Sequence, residues 1–122
     1  MRNEIKLKFI EPEYIVDETN KIVVCKLTFF VLTPPNVDER CYPFRRMITV
    51  KSIARTCEND TFDINIGKKV SLAKAEQKAY AKTRKMCISK LKELSDVMAK
   101  LIMFCDKSFD VCDHNENYLK QF

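Results

Sequence analysis

Glycine is nearly missing from this sequence: Gly67 is the single one among 122 residues. A loop that cradles phosphates with backbone N–H groups needs several positions without a Cβ. Phosphate-loop machines and dinucleotide fingerprints are therefore excluded. Tryptophan is absent and there is one histidine, His114, set in the acidic stretch Asp110–Glu116 with no nucleophile beside it. Ser71 and Lys74 have the S-x-x-K spacing, but the partner motifs of that chemistry are missing. The six cysteines, at 25, 41, 57, 87, 105 and 112, form no C-x-x-C pair. Cys105, Cys112 and His114 lack a fourth ligand at zinc spacing. The thiols are thus expected to be reduced and to pack as small apolar groups. Long apolar runs are absent too, the longest being Phe29–Leu32 and Leu101–Cys105. No membrane span and no secretory leader are predicted, which implies a cytoplasmic protein. With no catalytic signature and no implied cofactor or metal, a binding protein is favoured over an enzyme.

What is present reads as one folded domain, with 46% hydrophobic residues in 122. Ile5, Leu7 and Phe9 alternate with Glu4, Lys6 and Lys8, a half-buried strand. A polar turn at Asp17–Asn20 precedes Ile22–Leu32, a strand apolar on both faces and hence central or covered by a partner. Pro34 and Pro35 end it. Tyr42 to Arg55 reads as a long third strand, and Tyr14–Val16 as a short fourth. The expected fold class is α+β, an antiparallel sheet of three to four strands over residues 1–57 followed by a long C-terminal helix or helical pair.

The period changes at Asp63, which can cap a helix. Ile66, Val70 and Ala73 then follow at helical spacing, with Gly67 on or beside that face. Glycine in a helix costs about 1 kcal/mol, so close packing on the sheet is its expected purpose. The helical region is predicted over 62–105, leaving 106–122 as a tail or a short closing helix. Tyr80, Arg84, Cys87, Leu91, Leu94, Met98, Leu101 and Cys105 alternate spacings of four and three, a heptad seam with one charged member. Such a helix outruns the sheet. Either it breaks near Cys87–Ser89 and folds back, or a second copy covers it; the homodimer or higher homo-oligomer is the preferred expectation.

The net charge of +5 conceals its distribution. Residues 44–92 hold thirteen basic and four acidic side chains, while the segments on both sides are net acidic. Lys74, Lys78, Lys82 and Lys85 line one helix face. Arg45, Arg46 and Arg55 accompany Tyr42 and Phe44 at the ends of one strand, and Arg84 interrupts the seam near Tyr80. Arginine holds phosphate through paired hydrogen bonds and an aromatic ring stacks on a base. The candidate ligand site is therefore Arg45, Arg46, Arg55, Arg84 and Lys85 for phosphates. Phe44, Tyr42 and Tyr80 would stack, and Asn59 and Asn65 would meet a ribose or base edge.

The segment from Ala54 to Ala75 runs a strand into a Cys57-Glu58-Asn59-Asp60-Thr61-Phe62-Asp63 turn and then a helix with an early glycine. This pattern, with sheet first and long helix last, resembles the Thoeris anti-defence protein 1 family encoded by phages. The resemblance implies a homo-oligomeric sponge in the infected bacterial cytoplasm. It would bind a cyclic ADP-ribose isomer, or a cyclic oligonucleotide, and sequester it without cleavage. A small phage protein binding nucleic acid through residues 44–92 is the alternative expectation. A protein-protein inhibitor docking through the Ile22–Leu32 strand is the next.

Overall fold

Four strands and one helix follow one another along the chain: β1 (Lys6–Phe9), β2 (Glu13–Asp17), β3 (Ile22–Leu32), β4 (Ile48–Arg55) and α1 (Ile64–Leu119). The computed structural model describes residues 4–35, 42–44, 47–57 and 60–122. All strand pairs are antiparallel and the fold is α+β. β3 is central, as its two apolar faces predicted. β1 pairs with its C-terminal end, Leu7 opposite Val31, and β2 with its N-terminal end, Tyr14 opposite Cys25. β4 runs along the other edge, with Ala54 opposite Val23 and Ile48 opposite Phe29.

Two boundaries differ from expectation. The third long strand begins at Ile48 rather than Tyr42. Pro43 has no N–H for a ladder, and Tyr42 and Phe44 instead stack on each other outside any strand, centroids 6.2 Å apart. The helix does not break near Cys87–Ser89, and it continues through residues 106–119, expected to be a tail. No glycine or proline follows Gly67 to stop it. Contacts within the chain cluster into two units, Met1–Cys87 and Ile88–Phe122.

In the first unit, one face of the sheet forms the core. Val23, Cys25, Leu27 and Phe29 of β3 are fully buried beside Ile48, Val50, Ser52 and Ala54 of β4. These are the cross-strand partners of one pleat face. The fully buried stripe of the helix is made of small residues, Ser71, Ala75, Ala79 and Thr83, each four residues from the last, and half-buried Leu72 and Met86 pack beside it. Gly67 extends the same stripe by one step. A face built around Ile66 and Val70 is not what forms: both are exposed, at 60% and 41%. The buried hydroxyls of the stripe turn back on the helix, Ser71 Oγ donating to Lys68 O (3.1 Å) and Thr83 Oγ1 to Ala79 O (2.8 Å). No buried side-chain polar atom among the described residues lacks a partner.

Asp63 caps the helix as its position predicted. Its Oδ1 accepts the N–H groups of Asn65 (2.9 Å) and Ile66 (3.3 Å), and Gly67 N donates to Asp63 O (2.9 Å). In the second unit every residue from 91 to 122 is exposed. Leu91, Leu94, Met98, Leu101 and Cys105 keep their seam spacing, which continues through Cys112 and Leu119 to Phe122. Leu101 is 62% exposed and Phe104 69%. No helix among the described residues is long and apolar enough to cross a membrane.

The glycine gives a direct test of the close helix–sheet approach. A Cβ at position 67 would lie 2.6 Å from Val23 Cγ2, a buried β-branched side chain with little room to move. Gly67→Ala gains about 1 kcal/mol of helix propensity but overpacks the core by about 1–3 kcal/mol. Urea denaturation should show a net loss, and adding Val23→Ala to the same chain should relieve part of it.

Candidate functional site

Because α1 lies on one face of the sheet, it has two flanks, and each forms a groove within the first unit. The flank toward β1 opens between Ile5, Leu7 and the helix residues Tyr80, Arg84 and Cys87, with a volume of about 530 Å³. Tyr80 is held at its edge by Phe9, whose ring tilts onto Tyr80 (6.1 Å) and onto buried Phe29 (5.9 Å). Tyr80 and Arg84 lie one helical turn apart, so ring and guanidinium share the groove. Glu4 and Lys6 border the groove at the strand end, and their exposed side chains pair with each other at 3.6 Å.

The flank toward β4 is different in kind. Two adjoining grooves of about 500 and 400 Å³ lie between β4 and the helix, with Lys78 and Ala81 in both. Lys74 borders the first, and Lys51, Lys82 and Lys85 border the second. Lys74 Nζ donates to Ile53 O (3.3 Å) and Lys78 Nζ to Lys51 O (2.7 Å). β4 pairs only with β3 among the described residues, so these carbonyls belong to the open edge of the sheet. Alternate residues of an antiparallel strand point their backbone groups away from the partner. Lysines thus take acceptors that another strand would otherwise use.

The ten expected site residues do not assemble into one site. Tyr80 and Arg84 meet in the β1 groove, whereas Lys85 lines the β4 groove. Arg55 ends β4 on the exposed pleat positions that also hold Thr49, Lys51 and Ile53. Asn65 sits in the first helical turn. Tyr42 and Phe44 stack on each other before β4, and Arg45, Arg46 and Asn59 lie outside the described residues. Ile5, Leu7 and Cys87 join the β1 groove without having been singled out as ligand contacts, although strand alternation and the seam had marked all three as apolar. The role of Lys74 and Lys78 at edge carbonyls left no sequence signal. No protein-family model matches the chain, and no match to it was found among curated proteins or among solved structures.

Beneath the helix two groups are perturbed. Burial, then the charge of Glu76, pushes the Cys25 thiol above its ordinary range. Burial, followed by the charges of Cys25 and Glu76, raises the Tyr14 phenol, whose ring faces the Lys68 ammonium 5.3 Å from its centroid. Among the described residues no cluster of metal-ligating side chains occurs. Cys57, Cys105 and Cys112 are exposed free thiols, while Cys25 is buried. A raised pKa keeps Cys25 protonated, and only the thiolate is nucleophilic. In native protein at neutral pH a thiol reagent should therefore modify the three exposed cysteines well before Cys25. Peptide mapping that finds Cys25 labelled as fast as Cys112 would contradict this packing.

Proposed function

We propose that this protein is a phage-encoded binder that sequesters a nucleotide signal, a cyclic ADP-ribose isomer being the version implied by its family resemblance. The observation that carries the reading is the β1 groove, where the Tyr80 ring and the Arg84 guanidinium stand one turn apart beside Ile5 and Leu7. Its volume of about 530 Å³ suits a small organic ligand. A base would stack on Tyr80, and Arg84 would take a phosphate, its guanidinium through paired hydrogen bonds. Sequestration depends on affinity and slow release, and asks for no acid, base or nucleophile.

Thermal-shift and calorimetric titration against cyclic ADP-ribose isomers and cyclic di- and trinucleotides tests the reading. Ligand recovered chemically intact from the heated complex is expected; a hydrolysed product would end the sponge reading. Tyr80→Ala and Arg84→Ala should each weaken binding about ten- to hundredfold, the range for losing a charged hydrogen bond or a stacked ring. Affinity unchanged in both variants would mean that the ligand sits elsewhere.

The same proposal includes a homo-oligomer. Leu91, Leu94, Met98 and Leu101 repeat at heptad spacing and all are exposed. Burying one such side chain in a helix pair is worth about 1.5–3 kcal/mol. Sedimentation analysis should find a dimer or larger assembly, and Leu94→Asp with Leu101→Asp should shift it to monomer. A wild-type chain that sediments as monomer at micromolar concentration would refute the assembly.

A further inference from the structure

We propose that the β4 flank of the helix is a second binding surface, a track for the phosphate backbone of nucleic acid read without base contacts. It is separate from the Tyr80–Arg84 groove, and its failure would leave the nucleotide-binding reading untouched. Lys74, Lys78, Lys82 and Lys85 descend one side of α1, and β4 meets them with its backbone, at the carbonyls of Ile53 and Lys51. Among the described residues no carboxylate borders either of the two grooves they share. Like charges three and four residues apart disfavour an isolated helix. Here they are also held in place, since Lys74 and Lys78 are anchored at Nζ by the edge carbonyls of Ile53 and Lys51. An ammonium fixed by one carbonyl still has two N–H donors to offer.

The shape of the surface selects the occupant. From Lys74 to Lys85 the helix rises about 16 Å at 1.5 Å per residue. One strand of a duplex presents a phosphate about every 3.4 Å, so the track spans about five, of which its four helix lysines would neutralise about four. A small nucleotide would leave most of these cations unused, and no aromatic ring borders the grooves for a base to stack upon. Lysine is a mobile point charge, suited to a line of phosphates more than to one phosphate held in a fixed fork. An acidic peptide would add to the sheet as a strand only by using β4's outward carbonyls. Those of Lys51 and Ile53 are already taken by lysines. The chemistry therefore favours a phosphodiester backbone over a polypeptide.

Fluorescence anisotropy with two labelled duplexes of unrelated sequence, each about 20 base pairs, decides the matter. Both should bind with affinities within about twofold, because only phosphates are read. For about four neutralised phosphates, affinity should fall roughly 100-fold between about 50 and 200 mM salt. Lys82 and Lys85 have no part in the backbone anchoring shown by Lys74 and Lys78, so Lys82→Glu with Lys85→Glu can be made without removing those bonds. This variant should melt like the parent, lose at least about tenfold in duplex affinity and show a shallower salt dependence. Lys100→Glu with Lys107→Glu changes the net charge equally outside the grooves and should have a clearly smaller effect. The proposal is overturned by an absence of binding at low salt, by equal losses in the two double variants, or by polyglutamate displacing the duplex at equal charge concentration.

Discussion

The structure depends on how closely one helix can lie on the sheet. Gly67, Ser71, Ala75, Ala79 and Thr83 recur every four residues, and together they leave the helix almost smooth along its contact line. Most of the bulk at this interface comes from the sheet, from Leu27, Phe29, Ile48 and Val50, with Leu72 and Met86 of the helix packing beside the stripe. Larger side chains along the stripe would raise the helix off the sheet and open voids that the interior does not tolerate. With the axis that near, residues beside the stripe are forced against the sheet's margins. On one side Tyr80 reaches Phe9, and on the other Lys74 and Lys78 reach the backbone of β4. Both grooves are consequences of the small-residue stripe.

The second unit obeys a different constraint. Its helix has no sheet to bury its apolar side chains, and residues 91–122 are exposed throughout. Isolated helices gain little from propensity alone, and exposed apolar side chains in such number are what a packed partner would bury. A heptad spacing kept from Leu91 to Phe122 is the pattern two such helices use to interlock. Ser108 and Asn115 fall on the same series, and polar seam residues restrict the registers in which a pair can form.

Much of the fold was legible because its signals are local. Ile22–Leu32 is continuous, β-rich and closed by two prolines, and the strand occupies those residues. Asp63 stands before a change of period, and it caps the helix. The face of α1 that packs on the sheet was not legible in the same way. Periodicity weights large apolar residues, and Ile66 and Val70 appeared to define a core face that the small residues supply instead. The site divides along similar lines. Tyr80 and Arg84 were linked by helical spacing and do share a groove. Arg55 falls on the exposed positions of β4, and strand parity alone separates it from the helix-facing set. What no pattern could give was which flank of the helix faces β1 and which faces β4, since that is set by the sheet's order.

The two flanks show how one helix can offer two kinds of electrostatics. Arg84 is exposed in an open groove beside Ile5, Leu7 and Tyr80, so its charge has apolar and aromatic neighbours there. Glu4, paired with Lys6, partly offsets the positive potential of that groove. Along β4 the lysines face solvent in wide, shallow grooves, where salt screens each charge and only the sum matters. A guanidinium beside Ile5, Leu7 and Tyr80 and a row of lysines at an open sheet edge are therefore different electrostatic surfaces, although they flank one helix.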